Sequence, residues 1–164
     1  MTDAAFTALA LRGTDRLIGD CAAHVDADDP RQAEIGFTLA PEHQGHGYAT
    51  EAVRRLLHYL LVERGKHRVS ATCDARNTRS AALLERVGMR REGHLLESTW
   101  SKGEWTNDLL YAVLRREWPP ADSHWFGLAQ GPLGARRSSL AQDPWTSSAR
   151  RRQPRQGAAT GRWC

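Results

Sequence analysis

The chain has 164 residues, of which 40% are hydrophobic and 26% are charged, and this length suits one domain of ordinary size. Its net charge of +4 is unevenly spread, because residues 1–118 carry 16 basic and 17 acidic side chains whereas residues 119–164 carry seven and two. The first 118 residues therefore have no excess of positive charge. We expect no nucleic-acid partner except through the basic C-terminal segment.

The cysteine and histidine patterns argue against a disulfide framework and against a metal site. Cys21, Cys73 and Cys164 are far apart, odd in number and without Cys-x-x-Cys spacing, and the seven histidines include no His-x-x-x-His pair. The sequence shows no signal-peptide pattern and no apolar stretch near the roughly 18 residues that span a bilayer. We therefore expect a cytoplasmic protein with no metal cofactor and no membrane partner.

The first part of the chain predicts three strands. Residues 6–11 and 17–23 read as a hairpin around a turn at Gly13. Residues 34–39 alternate apolar and other side chains and predict a third strand, which Pro41 ends.

A long helix and a fourth strand follow. Apolar side chains recur at helical spacing from Ala49 to Leu61, which predicts an amphipathic helix with one continuous apolar stripe. Gly65 suits the position just after the helix, and residues 68–73 predict the next strand.

The last predicted elements are one short helix and two strands. Asn77 is a favourable N-cap for a helix that runs to about Val87, and Gly88 suits its C-terminal end. Strands near 91–100 and 105–114 follow, joined by a turn. The order β-β-β-α-β-α-β-β predicts an α/β (α+β) fold, a mixed sheet with helices packed on it.

The most informative motif for function lies at the junction between the third strand and the long helix. The segment Gln44-Gly45-His46-Gly47-Tyr48-Ala49 brings a glycine-rich loop to a helix N-terminus, where the first amides lack intrahelical acceptors and the helix dipole is positive. Such a loop can bind phosphate oxygens through its backbone. Taken alone, the glycine spacing fits equally well a strand-to-helix turn that binds nothing.

The wider sequence around this loop resembles the GNAT acetyltransferase family. The run "PEHQGHGYATEAV" from Pro41 to Val53 is similar to the family's pyrophosphate loop. The run from Asn77 to Gly93 is similar to its second cofactor segment, in the version of the ribosomal-protein alanine/serine N-acetyltransferase branch. The resemblance covers roughly residues 6–118. It implies a GNAT-like central sheet and the transfer of an acetyl group from acetyl-CoA to a primary amine.

The resemblance also implies which residues hold acetyl-CoA. In the family, the cofactor lies between two splayed parallel strands, which here are 34–39 and 68–73. The pantetheine arm pairs with backbone groups of one strand, the pyrophosphate lies on the loop amides, and an asparagine contacts the arm near the thiol. The implied cofactor-binding residues are Phe37, Thr38, Leu39, Gln44, Gly45, His46, Gly47, Tyr48, Ala49 and Asn77. Asn77 is also explained as a helix N-cap, and it can serve as both.

The transfer requires a neutral amine, so a group must take a proton from the ammonium. Glu34 is the best candidate for this base, with a solvated or ion-paired strand residue as the alternative reading, and His43 is a second candidate acting through water. The tyrosine that many relatives use as an acid is replaced here by Leu84. Ser80 occupies the position of the branch's serine, which implies that it stabilises the departing thiolate, although it also fits an ordinary helix residue.

Three aromatic residues can be explained by packing alone as well as by a role in the acceptor site. Tyr111 either lines the acceptor site or packs in the core, and the core is favoured. Trp100 and Trp105 are interpreted as a cross-strand packing pair rather than as a substrate cage.

The sequence departs from the family pattern at both ends. Compared with the family, the first strand and two helices of the fold are missing before residue 6, so the domain is expected to be truncated. The open explanations are a naturally shortened protein, a misassigned start and a partner that supplies the missing wall of the acceptor pocket. The loss predicts an exposed apolar sheet face that favours a homodimer. Residues 1–118 are expected to form the partial acetyl-CoA-binding domain. Residues 119–164 are rich in Arg, Ser and Pro and are expected to be a disordered tail, interpreted as a frameshift product or as an RNA-binding arm.

The sequence does not identify the acceptor substrate. The favoured function is acetylation of a primary amine, with a protein N-terminus as one acceptor. The alternatives are a fragment that binds acyl-CoA with little catalysis, and a small-molecule enzyme acting on an aminoglycoside or a polyamine.

Overall fold

A computed structural model of the chain describes residues 4–118 except 12 and 15. These residues form a six-stranded mixed sheet with two helices, in the strand order β1-β2-β3-β4-β6-β5. The strands are β1 Ala4–Ala10, β2 Leu17–Val25, β3 Gln32–Leu39, β4 Arg68–Asp74, β5 Arg90–Ser101 and β6 Glu104–Leu114, and the helices are α1 Tyr48–His58 and α2 Thr78–Arg86. The α/β fold class predicted from the sequence is confirmed. The expectations for residues 119–164 lie outside the described residues.

The chain crosses from β3 through α1 to β4, and this crossover makes β3 and β4 the parallel pair of the sheet. The strands β1, β2 and β3 form an antiparallel meander, and β6 lies antiparallel between β4 and β5. The predicted turn between the last two strands is confirmed, with Lys102 and Gly103 both at positive φ (51° and 83°). Consecutive positive φ values match the right-handed twist of a tight hairpin.

Both helices pack on one face of the sheet and bury a single core. On β3, Ile35 and Phe37 face this core, and Leu57 and Leu84 from the two helices are fully buried against it. The long helix differs from the prediction, because α1 ends at His58 and a π-helical turn continues over Tyr59–Glu63. The wider turn spreads consecutive residues over a smaller angle, which lets residues 59, 60 and 61 all be buried.

The ends of the short helix follow the predicted capping residues. The Asn77 side chain accepts a hydrogen bond from the Ser80 amide at 3.1 Å, which satisfies one of the free amides of the first turn. At the other end, Gly88 has φ +94°, a value that glycine adopts without strain. Gly65 has φ +65° and follows the long helix in the same way.

The sheet face opposite the helices is largely polar on its central strands. Glu34 and Thr38 on β3 and His24 on β2 are exposed there, and Ser70 and Thr72 on β4 are half-buried. The expectation of an exposed apolar face is therefore wrong for these strands. Large exposed apolar side chains lie instead on the β5–β6 hairpin, at Leu95, Leu96, Trp100 and Trp105.

Among the described residues, no helix combines the length and the apolar character needed to cross a lipid bilayer.

We expect Gly19→Ala to destabilise the sheet. Gly19 pairs with Leu39, and a Cβ at this position would lie 2.1 Å from the Thr38 carbonyl oxygen, so the two strands would have to separate. Overpacking of this kind lowers the free energy of unfolding by about 1–3 kcal/mol, which urea unfolding measures.

Gly93→Ala on β5 is the matched control. Its Cβ would meet its nearest neighbour at 3.6 Å, an ordinary contact, so we expect the free energy of unfolding to change by less than about 1 kcal/mol. Equal losses in the two variants would contradict the close approach at Gly19.

Candidate active site

The parallel strands β3 and β4 separate after a short pairing. Gln32, Ala33 and Glu34 pair with β4 residues 68–70, and beyond this point β3 pairs with β2 while β4 pairs with β6. The facing edges of residues 35–39 and 71–74 therefore have no partner strand between them. The result is a V-shaped opening through the sheet, closed at Glu34, whose backbone edges can pair with an extended ligand.

A groove of about 860 Å³ opens at the wide end of this V, on the side of the helices. It lies between the end of β3, the loop before α1, the first turn of α1 and one side of α2. It is lined by Phe37, Thr38, Leu39, Pro41, Gln44, Gly45, Gly47, Tyr48, Ala49, Thr50, Asn77, Thr78, Arg79, Ser80, Ala82, Leu83 and Arg86.

The loop before α1 presents free backbone amides to this groove. Among the hydrogen bonds of the described residues, none is donated by the amides of residues 45–50, and the first helical bond is from Glu51 to the Gly47 carbonyl. Gly45 and Gly47 have φ values of +80° and +83°, which turn the chain into the helix. These amides and the positive end of the helix dipole form a site suited to an anion.

The side chain of Gln44, in the loop before α1, forms hydrogen bonds to both β3 and α2. Its side-chain nitrogen donates to the Leu39 carbonyl at 3.1 Å, and its side-chain oxygen accepts from Arg79 at 2.8 Å. The predicted cofactor residue therefore has a structural role that fixes the end of β3 against α2. Its position on the groove wall also keeps it next to any ligand.

Two arginines on the groove wall were missed by the sequence reasoning. Arg79 and Arg86 are exposed residues of α2 that line the groove, and Arg86 also lies 3.5 Å from the Thr50 hydroxyl on α1. Their spacing of seven residues places both on one side of the helix, which was the available sequence signal. They add positive charge beside the free amides.

Asn77 and Ser80 lie together at the start of α2. The capping interpretation of Asn77 is confirmed by its bond to the Ser80 amide, and Asn77 also lines the groove. Ser80 is 8% exposed and lines the groove as well, and its hydroxyl makes no hydrogen bond with the described residues. It is therefore available to a ligand.

The other predicted site residues lie outside the groove. Glu34 lines a smaller concavity of about 280 Å³ with Ser70 and residues of β2 and the loop that follows it. His46 is exposed and stacks on Tyr48, with ring centres 5.6 Å apart. His43 lies in a short 3₁₀ turn and is not among the groove residues.

The structure shows which contacts the three aromatic residues and Leu84 make. Tyr111 is fully buried and donates to the Glu85 carboxylate at 3.0 Å, so it packs in the core. Trp100 pairs directly with Trp105 across the hairpin, with ring centres 5.4 Å apart. Leu84, at the position of the absent tyrosine, is fully buried in the core.

The groove fits coenzyme A in three respects. Its amides and arginines suit phosphate groups, the unpaired β3 edge suits the amide groups of a pantetheine arm, and the Ser80 hydroxyl can donate to a sulfur anion. No group of His, Cys, Asp or Glu that could hold a metal ion occurs among residues 4–11, 13, 14 and 16–118.

Comparison with known proteins assigns the family. Residues 2–90 match the family model described as an acetyltransferase (GNAT) domain, which is more than half of the chain. The chain therefore belongs to the GNAT acetyltransferase family, whose members use acetyl-CoA as cosubstrate.

Similar proteins include ribosomal-protein and polyamine acetyltransferases. The uncharacterized N-acetyltransferase YnaD of Bacillus subtilis is 39% identical over 52% of this chain and 50% of its own length. The ribosomal protein uS5-alanine N-acetyltransferase of Escherichia coli is 29% identical over 52% of this chain and 44% of its own length. The expected similarity to the ribosomal-protein branch is thus confirmed.

Solved structures give the same assignment. A GNAT acetyltransferase from Bacillus anthracis has a TM-score of 0.65 at 34% identity, covering 68% of this chain and 67% of the other. A mutant of the spermidine N-acetyltransferase SpeG from Vibrio cholerae has a TM-score of 0.62 at 26% identity, covering 68% and 66%. The chain spans about half the length of the curated relatives it matches.

The environment of Tyr111 predicts a fall in stability at high pH. Burial, and then the hydrogen bond to Glu85, raise the pKa of Tyr111 to about 12. In the unfolded chain a tyrosine ionises near pH 10, so stability falls as pH rises from about 10 toward 12.

Urea unfolding across this pH range should show a smaller decrease in the free energy of unfolding for Tyr111→Phe than for wild type. Cys21 is expected to contribute to the part that remains, because burial raises the pKa of its thiol to about 12. A fall of equal size in wild type and Tyr111→Phe would contradict the proposed environment of the phenol.

Proposed function

We propose that this chain is an N-acetyltransferase that transfers an acetyl group from acetyl-CoA to a primary amine. The observation that carries this proposal is the groove at the open end of the V, where unpaired strand edges meet free amides at a helix N-terminus. Bound acetyl-CoA supplies the thioester whose carbonyl carbon the amine attacks.

Different residues of the groove bind different parts of acetyl-CoA. The amides of residues 45–49 hold the pyrophosphate, and Arg79 and Arg86 add charge for the phosphates. Backbone groups of Phe37, Thr38 and Leu39 pair with the pantetheine arm. The side-chain nitrogen of Asn77 donates to the arm, since its oxygen is used by the Ser80 amide.

The acceptor amine approaches from the polar face of the sheet. The groove reaches Phe37 on the helix side, whereas Glu34 lines the opposite face at the closed end of the V. Three residues along a strand span about 10 Å, which leaves room for the amine and a water between the two positions. Glu34 then takes the proton of the ammonium through that water.

The leaving sulfur is stabilised at the start of α2. The Ser80 hydroxyl is free to donate a hydrogen bond, and it lies one helical turn from Asn77 on the groove wall. No tyrosine is needed in this role, because a hydrogen bond stabilises a thiolate without full proton transfer. Most of the rate enhancement then comes from orientation.

The acceptor class is a protein N-terminal amine or a polyamine. The similarity to a ribosomal protein uS5-alanine N-acetyltransferase supports the first, and the similarity to a spermidine N-acetyltransferase supports the second. A chain that binds acyl-CoA without transfer is the second candidate function, and the absence of a tyrosine at Leu84 favours it.

Release of free thiol from acetyl-CoA separates these functions. We expect release to accelerate when an alanine-initiated peptide or spermidine is added, and the faster of the two identifies the acceptor class. Acetyl-CoA binding without amine-dependent thiol release would support the binding function and overturn the transfer.

Arg79→Ala and Arg86→Ala should each weaken acetyl-CoA binding by about two- to five-fold at low ionic strength, the range of exposed ion pairs. Calorimetry should show that the loss shrinks in about 0.5 M salt, because exposed charges are screened. Arg55→Ala is the control, since Arg55 pairs with Glu63 away from the groove. Losses that do not depend on salt would contradict a role through charge.

Ser80→Ala should lower kcat by about ten- to hundred-fold, the value of a hydrogen bond to a charged group. The KM for acetyl-CoA should stay within about two-fold. The variant should fold normally, because Asn77 bonds the backbone amide of this residue, which alanine keeps. Ser101→Ala, in the β5–β6 hairpin, is the control and should keep the wild-type kcat. An unchanged kcat in Ser80→Ala would show that the Ser80 hydroxyl has no role in the transfer.

A further inference from the structure

Two arginines and a threonine meet where α1 lies beside the C-terminal end of α2. The Arg86 guanidinium donates to the Thr50 hydroxyl at 3.5 Å, and the Arg54 guanidinium donates to the Arg86 carbonyl at 3.2 Å. Thr50 and Arg86 both line the groove. We refer to Thr50, Arg54 and Arg86 as the α1–α2 cluster.

No carboxylate neutralises the positive charge of this cluster. Ion pairs with carboxylates hold other arginines of the domain, namely Arg16, Arg31, Arg55, Arg68, Arg76 and Arg90. Within the part of the chain that the structure describes, Arg54 and Arg86 have no such partner, and none of the described residues that line the groove is Asp or Glu. Two neighbouring guanidinium groups repel each other, so an anion bound between α1 and α2 would stabilise them.

Arg54 makes the C-terminal end of α2 more favourable for an anion. The last carbonyls of a helix carry partial negative charge, which repels phosphate groups. Here the carbonyls of residues 83–85 accept from the amides of residues 87–89, and the Arg86 carbonyl accepts from the positive Arg54 side chain. The Arg86 guanidinium can therefore hold an anion beside a helix end that would otherwise disfavour it.

The cluster lies at the far end of α2 from the residues proposed to contact the thiol end of the cofactor. Asn77 and Ser80 lie at the start of the helix, and Arg86 is its last residue. Between them, Arg79 is bonded to Gln44 beside the loop amides. At 1.5 Å per residue, the distance along the helix from residue 77 to residue 86 is about 13 Å.

The order of these groups along α2 matches the order of groups in coenzyme A. That molecule carries its thiol, then the pantetheine arm, then the pyrophosphate, and last an adenosine with a separate phosphate on its ribose. The loop amides and Arg79 take the pyrophosphate in the proposed complex. The unneutralised arginine at the end of the helix is then left for the last phosphate.

We infer that Arg86, with Thr50 and Arg54, binds the ribose phosphate of coenzyme A and so selects for cofactors that carry this phosphate. The inference rests on the proposed function, because it concerns the same bound molecule. Arg86 is the specificity-determining residue. Arg54 is a positioning residue, since it acts through the Arg86 carbonyl and the end of α2.

The charge of the ribose phosphate suits this cluster. A phosphate monoester carries a charge of about −1.5 to −2 at neutral pH, because its second pKa is about 6. A guanidinium can donate two parallel hydrogen bonds to such a group, and the Thr50 hydroxyl can donate a third. Each phosphate of the pyrophosphate carries a single negative charge, which the backbone amides and one arginine can balance.

The first test compares the binding of coenzyme A and dephospho-coenzyme A by calorimetry at low ionic strength. Wild type should bind coenzyme A about two- to five-fold more tightly, the range of exposed ion pairs. Arg86→Ala should bind both ligands with the affinity that wild type has for dephospho-coenzyme A. Arg79→Ala, on the same helix, should weaken both ligands by the same factor.

The position of Arg54 is tested with the same two ligands. Arg54→Ala should reduce the preference for coenzyme A and leave the affinity for dephospho-coenzyme A unchanged, which loss of stability alone would not do. Arg55→Ala is the control, because Arg55 is the next residue and pairs with Glu63 away from the groove. It should keep the wild-type affinity for both ligands.

The outcomes separate failure of the phosphate site from failure of the proposed function. Equal affinities of wild type for the two ligands would overturn the phosphate site while leaving the cofactor groove in place. Equal weakening of both ligands in Arg86→Ala would also overturn it, because Arg86 would then contact the pyrophosphate. Absence of binding of either ligand to wild type would contradict the proposed function, and this inference with it.

Phosphorus NMR of bound coenzyme A provides a readout that does not depend on affinity. Because a guanidinium favours the doubly charged form, binding to wild type should lower the titration midpoint of the phosphate monoester by about half a pH unit or more relative to the free molecule. In Arg86→Ala the midpoint should return to the value of free coenzyme A. An unchanged midpoint in wild type would overturn the inference.

Discussion

The site depends on the point at which the parallel ladder between β3 and β4 ends. Glu34 and Ser70 are the last paired residues, and each strand then follows its outer neighbour. Backbone groups that lack a partner strand are costly to bury and are usually paired. The unpaired edges are therefore both the structural weakness of this sheet and the feature that suits it to an extended ligand carrying amide groups.

Side-chain contacts hold the two arms of the V at fixed positions. On one side, Gln44 connects the Leu39 carbonyl to Arg79 and so fixes the end of β3 against α2. On the other side, the Asn107 carbonyl accepts from the amide of Ala75 at 2.9 Å, and its side chain accepts from the amide of Glu97 at 2.8 Å. The buried Asp108 carboxylate accepts from Ser98 and Thr99 in the same bulge of β5. These bonds keep the groove and its serine in place before any ligand arrives, which lowers the cost of binding.

Within the described part of the chain, local patterns were enough to predict the six strands and the two α-helices, because alternation, helical spacing, Asn77 and Gly88 act within a few residues. The π-helical turn at Tyr59–Glu63 has no such local signal and was not predicted. The glycine loop that lines the groove could be predicted as well, since Gly45, Gly47 and the start of α1 are contiguous in the chain. Features that depend on long-range register were not predictable in the same way. The hydrogen bonds between Gln44 and Arg79, between Arg86 and Thr50, and between Tyr111 and Glu85 each join separate elements. The apolar face was predicted wrongly, because the polar residues of β2, β3 and β4 could be assigned to one face only after their pairing was known.

Backbone NMR of the labelled chain during titration with coenzyme A tests the central claim most directly. If the cofactor lies in the V, the amides of residues 45–50 and of Phe37, Thr38 and Leu39 should shift first and most, followed by those at the start of α2. Exposed amides of the β5–β6 hairpin should stay unchanged and serve as the internal reference. Saturable shifts confined to these residues would agree with the account. No shift at millimolar coenzyme A, or shifts that leave the loop before α1 unchanged, would contradict it.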